Sequence, residues 1–129
     1  MMKTHRKWLV TALAAAILVL ACMLAVGNAS PNAASPEKLY RNNSEIDLFV
    51  YKDTAYVYAA DVDWVKELEW TPDVCVGEIQ RTGITKRFRN FDATKLHEGT
   101  ELYSAKERPD FLIACLEHEN IPYRRYAEG

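Results

Sequence analysis

Acidic side chains offer the first chemistry in this sequence, because Asp61, Asp63 and Glu67 form its densest carboxylate cluster. Paired carboxylates can hydrolyse glycosidic bonds, and carboxylate oxygens can bind calcium. The cluster lacks the glycine and the twelfth-position glutamate of an EF-hand loop, and an acidic helix start accounts for it equally well. A carboxylate-dependent hydrolase or ion-binding enzyme directed at the cell wall is therefore the alternative function.

Other catalytic signatures are missing from the sequence. His97 and His118 each lie beside glutamate, but no H-E-x-x-H motif and no paired C-x-x-C completes a zinc ligand set. There is also no G-x-S-x-G elbow and no glycine-rich phosphate loop. We therefore predict a protein that is not an enzyme, with no catalytic residue, metal or cofactor.

Aromatic residues are the first candidates for binding. Tyr and Trp at an exposed groove can stack on sugars or on the side chains of a partner protein. In a domain this small, the competing interpretation is that large aromatics build the core. The candidate binding residues are Tyr56, Tyr58, Trp64 and Trp70.

Basic residues are the second candidates for binding. Four cations gather in one stretch of an otherwise acidic chain, namely Arg81, Lys86, Arg87 and Arg89. They could contact anionic lipid headgroups or wall polymers. The competing interpretation is a charged sheet edge that blocks unwanted strand pairing.

Cys75 and Cys115 are the two cysteines outside the N-terminal region. Strand alternation around each of them lets both thiols point inward, which predicts a disulfide between them in an oxidising compartment. Closing a loop of about 40 residues would stabilise the domain by about 3–4 kcal/mol. Two buried free thiols are the alternative.

The N-terminal region has the pattern of an export signal. Lys3, Arg6 and Lys7 precede a nearly continuous apolar run over residues 8–26. As a helix, this run would reach roughly 28 Å, close to the thickness of the hydrocarbon layer of a bilayer. Because positive charges stay on the cytoplasmic side, residues 30–129 are predicted to cross the membrane.

Three fates are open for residues 1–29. Small residues up to Ala29 permit signal-peptidase cleavage before Ser30, and therefore secretion. Residues 19–22 (VLAC) resemble the lipobox of bacterial lipoproteins, in which Cys22 is acylated. The third fate is an uncleaved membrane anchor. All three predict an extracytoplasmic protein, either secreted or held at the cell membrane.

Charge limits the partners of the exported part. Beyond residue 36 the chain has 13 Lys and Arg against 18 Asp and Glu, a formal charge of −5 compared with −2 for all 129 residues. Such an acidic body does not offer the electropositive surface that nucleic-acid phosphates require. The predicted partners are the membrane, through the N-terminal region, and an envelope polymer or an exported protein.

Composition divides the chain into three parts. Residues 1–29 are the signal peptide or anchor, and residues 30–44, rich in Ala, Ser, Pro and Asn, predict a flexible tether. Residues 45–129 combine β-branched and aromatic runs with turns. This last part is predicted to be a small β-rich extracytoplasmic domain.

The domain is predicted to begin with a hairpin over residues 46–60, followed by a helical turn that Asp61 caps. A second hairpin is predicted over residues 74–91, with Gly83 in its turn. Short strands over 101–105, 111–116 and 122–126 complete the pattern. These elements predict a mainly β fold, a small antiparallel meander sheet or half-barrel with at most one short helix, preceded by the export helix and the tether.

Four short stretches carry a resemblance to known proteins: residues 77–79 (GEI), 92–96 (DATKL), 99–103 (GTELY) and 126–129 (YAEG). Residues 50–129 resemble small exported or lipoprotein-type proteins of Gram-positive spore-forming bacteria. The resemblance implies export and a β-rich domain, and it brings no catalytic residues.

Overall fold

A computed structural model describes residues 35–127 of the chain. Within these residues, six strands form one antiparallel half-barrel sheet in the order β1-β2-β6-β5-β4-β3, accompanied by two short helices. The mainly β half-barrel that the sequence predicts is therefore confirmed. The elements are α1 (Pro36–Asn42), β1 (Leu48–Tyr51), β2 (Thr54–Tyr58), α2 (Asp63–Lys66), β3 (Pro72–Glu78), β4 (Glu101–Ala105), β5 (Phe111–Cys115) and β6 (Asn120–Arg125).

The strands depart from a simple meander at one point. β1 and β2 form the predicted hairpin around Lys52 and Asp53, which have φ values of 49° and 61°. The chain then continues through α2 to the far edge of the sheet, and β3 to β6 follow in order until β6 pairs with β2. The Tyr123 hydroxyl donates to Asp47 Oδ1 at 2.9 Å, which strengthens this junction between sequence-distant strands.

One face of the sheet is covered by the long connection between β3 and β4. Ile79, Ala93 and Leu96 from this connection pack against a buried cluster that includes Phe49 and Tyr123. Residues 91–94 also run along the free edge of β1, where backbone hydrogen bonds join them to the strand at distances of 2.6–3.0 Å. The connection therefore completes the core and protects an exposed sheet edge at the same time.

The opposite face of the sheet is covered by the two helices. Ser35 Oγ accepts a hydrogen bond from the Lys38 N–H at 3.1 Å, and Leu39 of α1 packs against β1 and β2. Val65 of α2 packs against Phe111 of β5. The prediction of at most one short helix is wrong, because capping and apolar burial form α1 inside the segment predicted as a tether.

The sequence also misplaces two local features. The N-cap of α2 is Val62, with no side-chain cap hydrogen bond, so Asp61 does not cap this helix. The second predicted hairpin is wrong, because β3 pairs with β4 and residues 85–91 form no strand in the described part of the chain.

A β-bulge in β3 decides which of its side chains turn inward. Cys75 pairs with Tyr103 and Gly77 pairs with Leu102, so two steps along β3 match one step along β4. The extra residue places Cys75 and the buried Ile79 on opposite faces, although an unbroken strand would place them together. Gly77 has a φ of +150°, and a Cβ there would lie 2.5 Å from Phe91 Cε1.

We expect Gly77→Ala to lower the melting temperature by roughly 5–15 °C, because the added methyl overpacks the contact with Phe91. Gly83→Ala is the matched control, since Gly83 also has a positive φ (+71°) but a Cβ there meets no atom within 4 Å. Thermal unfolding followed by circular dichroism measures both. Equal losses in the two variants would show that backbone strain, rather than the Phe91 contact, governs Gly77.

Candidate binding surface

A charged cluster lies where β5 begins. Asp110 accepts hydrogen bonds from Arg108 Nε at 2.9 Å and Arg108 Nη2 at 3.0 Å, and Arg124 Nε of β6 lies 3.4 Å from the same carboxylate. The hydrogen bonds from Arg108 outweigh the cost of burial and hold the pKa of Asp110 below its ordinary value. Asp110 is therefore ionised at neutral pH and orients two guanidinium groups.

Both guanidinium groups also lie over aromatic rings. The Cζ atoms of Arg108 and Arg124 are 5.0 and 5.4 Å from the ring centroid of Trp64. Trp64 meets the buried Phe111 edge-on at 5.7 Å, and Trp70 stacks on Phe111 at 4.4 Å. This aromatic base fixes the two arginines in one orientation.

An open cavity of about 500 Å³ lies beside this cluster, and we call it the arginine cleft. Arg124 has half of its side chain exposed, and Arg125 forms no ion pair with any residue that the structure describes. Among residues 35–127, Asp110 is the one carboxylate that lines the cleft. The lining includes Tyr58, Val62, Asp110, Arg124, Arg125 and Tyr126.

The four predicted aromatic residues do not form one binding face. Tyr56 is buried and stacks on Phe49 with a centroid distance of 5.5 Å, so it belongs to the core. Trp70 is half-buried, and its Nε1 donates to the Val65 carbonyl at 2.9 Å. Tyr58 and Trp64 remain partly exposed. Tyr58 lines the arginine cleft, and Trp64 lies beside the cleft under Arg124.

The four predicted basic residues divide into one structural residue and three exposed ones. Arg81 Nε donates to Asp92 Oδ1 at 2.7 Å, and the Arg89 backbone N–H donates to Asp92 Oδ2 at 2.7 Å. Burial acts to raise the pKa of Asp92, but these donors lower it below its ordinary value. The side chains of Lys86, Arg87 and Arg89 are exposed and form no ion pair among the described residues.

The carboxylates of the alternative function lie apart from the cleft. Asp61, Asp63 and Glu67 are exposed, and none of them lines the arginine cleft, although two of them flank Val62. His97 and His118 are also exposed. Across residues 35–127, no group of three or more His, Cys, Asp or Glu side chains is arranged to hold a metal ion.

The predicted disulfide is absent, because Cys75 and Cys115 are both free thiols. They lie on β3 and β5, which flank β4. At about 4.8 Å between neighbouring strands, two strand spacings exceed the Cα separation of about 7 Å that a disulfide tolerates. Cys75 is exposed, contrary to the predicted inward orientation, and Cys22 lies outside the described residues.

Several residues of the arginine cleft and of the charged cluster beside it were missed by sequence reasoning. Arg108 and Asp110 look like part of an ordinary charged turn, and Arg124 and Arg125 look like the polar end of a strand. Only the register of β5 and β6, in which Phe111 pairs with Arg124, brings these two segments together. The adjacent arginines 124 and 125 were the one visible signal.

Comparison with known protein families, curated proteins and solved structures finds no match for this chain. The resemblance to exported proteins of spore-forming bacteria therefore stays a prediction. Among the described residues, no helix is long and apolar enough to span a membrane. The apolar run over residues 8–26 lies outside the described residues.

In the folded full-length chain, we expect iodoacetamide to alkylate Cys75 faster than Cys115. Cys75 is exposed. Burial is the main cause that raises the pKa of the Cys115 thiol, and the nearby Glu101 and Cys75 raise it further, so the thiolate fraction of Cys115 is lower. Peptide mapping by mass spectrometry measures both rates. A peptide pair linked through Cys75 and Cys115 would contradict the free-thiol arrangement.

Asp92→Asn should lower the melting temperature at pH 7 by roughly 5–10 °C, because it removes charge-assisted hydrogen bonds at a buried site. The folded pKa of Asp92 lies below its ordinary 3.8, so its contribution is present above that value and is lost as the pH falls. The difference from wild type should therefore shrink below about pH 4. Melting curves from pH 7 to pH 3 test this, with the exposed Asp73→Asn as control. A difference that is constant with pH would contradict the assignment.

Proposed function

We propose that this chain is an extracytoplasmic, non-enzymatic binding domain, secreted or tethered to the cell membrane, that binds an anionic polymer of the cell envelope at the arginine cleft. The observation that carries the proposal is the exposed pair Arg124 and Arg125 at the cleft, beside the partly exposed Tyr58. An arginine pair next to an aromatic side chain can recognise a polymer that combines sugar or polyol units with acidic groups.

The cleft is prepared for an anion before the ligand arrives. Asp110 and Trp64 hold Arg124 in place, so little side-chain freedom is lost when the guanidinium binds. A guanidinium presents paired N–H donors that match the oxygen atoms of carboxylate and phosphate groups. Arg125 adds a second charge that is not compensated by a described carboxylate.

The chemistry of the cleft favours binding over hydrolysis. Glycosidases place two carboxyl groups around the reacting bond, and the pKa of one of them is usually raised so that it can donate a proton. Asp110 is the single carboxylate that the described part of the chain contributes to the cleft, and the pKa of Asp110 is lowered by the arginine that it binds. These two features support a binding role.

The extracytoplasmic location is supported by the sequence. The basic N-terminus followed by an apolar run has the charge asymmetry of an export signal. The acidic charge of the remaining chain argues against a nucleic acid as the polyanion, because the basic surface is confined to local patches. An anionic polymer of the cell envelope is both extracytoplasmic and distinct from a nucleic acid.

We expect the purified full-length chain in detergent to bind poly(glycerol phosphate) and not neutral dextran. Arg125→Gln should weaken this binding about tenfold, since it removes one charge-assisted contact. Lys66→Gln is the matched control, because Lys66 is an exposed cation of α2 that does not line the cleft. Biolayer interferometry with immobilised protein measures the affinities.

Two results would overturn the proposal. One is unchanged affinity in Arg125→Gln, which would place the polymer elsewhere on the surface. The other is tighter binding of poly-L-glutamate than of the phosphate polymer, which would identify an acidic segment of a partner protein as the ligand. Melting curves of the variants verify that each one is folded.

A further inference from the structure

The three exposed cations outside the arginine cleft occupy a short segment, residues 86–89 (KRFR), which we call the basic loop. Its position is fixed by the start of the domain. The Phe88 N–H donates to Glu37 Oε1 of α1 at 3.0 Å, and Phe88 packs in the same apolar cluster as Leu39. The basic loop is therefore held beside Ser35, where the described part of the chain begins.

The basic loop is also fixed on its other side. Asn90 Oδ1 accepts a hydrogen bond from the Asp53 N–H at 2.8 Å, which places the turn between β1 and β2, with the exposed Lys52, next to it. Arg87 has a φ of 54°, a conformation that costs energy for a residue with a side chain.

Charge separates the basic loop from the rest of the domain. Lys86, Arg87 and Arg89 form no ion pair with any described residue, and Asp92 is already occupied by Arg81. Three carboxylates are brought near the loop by hydrogen bonds: the half-buried Glu37, Asp53, and Asp92, which accepts the Arg89 backbone N–H at 2.7 Å. The patch is therefore positive on a domain whose formal charge is negative.

The length of chain between the predicted membrane segment and the start of the domain limits how far a tethered domain can lie from the bilayer. Residues 27–34 lie between the predicted membrane segment and Ser35. Eight residues reach at most about 28 Å when they are fully extended, so a tethered domain stays close to the bilayer. The part of the domain at the end of this connection is the part beside the basic loop.

We infer that the basic loop docks the domain onto anionic lipid headgroups, with Lys86, Arg87 and Arg89 as the contacting side chains. The inference rests on the proposed membrane tether and is independent of the ligand of the arginine cleft. Each cation near an anionic surface strengthens association by about fivefold, so three act together as a substantial second anchor.

The experiment uses the full-length chain reconstituted into vesicles of phosphatidylcholine, with or without 30% phosphatidylglycerol as a chosen composition of roughly physiological surface charge. Dansyl-labelled lipid accepts energy from Trp64 and Trp70. Every chain in the experiment, including the wild-type reference, carries Trp8→Phe, which removes the third tryptophan. The test chain is the double variant Lys86→Gln, Arg87→Gln. The control is the double variant Lys66→Gln, Lys106→Gln, which removes two exposed cations on other parts of the surface.

We expect energy transfer from tryptophan to the dansyl lipid to be higher in the anionic vesicles than in the neutral ones. The increase should disappear in about 1 M NaCl, where the Debye length is only about 3 Å. The double variant of the basic loop should lower the equilibrium constant for docking about 30-fold. The control double variant and Arg125→Gln should leave this constant unchanged. The salt series on the wild-type chain keeps the test valid if the loop variant is unstable.

The outcomes separate this inference from the proposed function. Failure of the chain to float with phosphatidylcholine vesicles would overturn the membrane tether and the docking inference together. Flotation with equal energy transfer in neutral and anionic vesicles would overturn the docking inference alone. Equal transfer in the loop variant and the wild type would also overturn it, because the charge dependence would then arise elsewhere.

Discussion

The buried carboxylate of Asp92 is the group around which the loop-covered half of the domain is organised. Its side chain is almost inaccessible to solvent, and the guanidinium of Arg81 and the N–H of Arg89 compensate its charge. An ionised carboxylate without such partners would be costly at this depth. Because the Asp92 carbonyl also accepts the Val50 N–H at 3.0 Å, the same residue attaches the connection between β3 and β4 to the edge of β1.

Two kinds of arginine follow from this organisation. Arg81 and Arg108 each form a bidentate pair with a carboxylate, so their role is to hold a loop or a turn in place. Arg87 and Arg125 have no such partner among the described residues. Arg87 belongs to the proposed membrane-docking loop, and Arg125 belongs to the arginine cleft. Composition does not distinguish these roles, because a guanidinium reveals its function only through the carboxylates and rings around it.

Local pattern was enough for much of the fold. The first hairpin was predicted from two β-branched and aromatic runs with a short polar turn, and both runs form strands. A strand was predicted over residues 111–116, and β5 forms there with Phe111 and Ile113 fully buried. The second hairpin failed for a physical reason. Gly83 does take a positive φ at a bend, but β3 pairs with β4 instead of with the residues that follow the bend. Of the predicted aromatic site, only Tyr58 lines the cleft, and Trp64 lies beside it under Arg124.

By itself, the sequence determined the mainly β class and the separation of charge between a basic N-terminus and an acidic body, because hydrophobic alternation and residue counts are local properties. Only the tertiary structure decided how strands distant in sequence pair, where the β-bulge turns Cys75 outward, and which arginines meet at the cleft. These outcomes depend on the register between strands, and a single extra residue in one strand reverses the face of every side chain that follows.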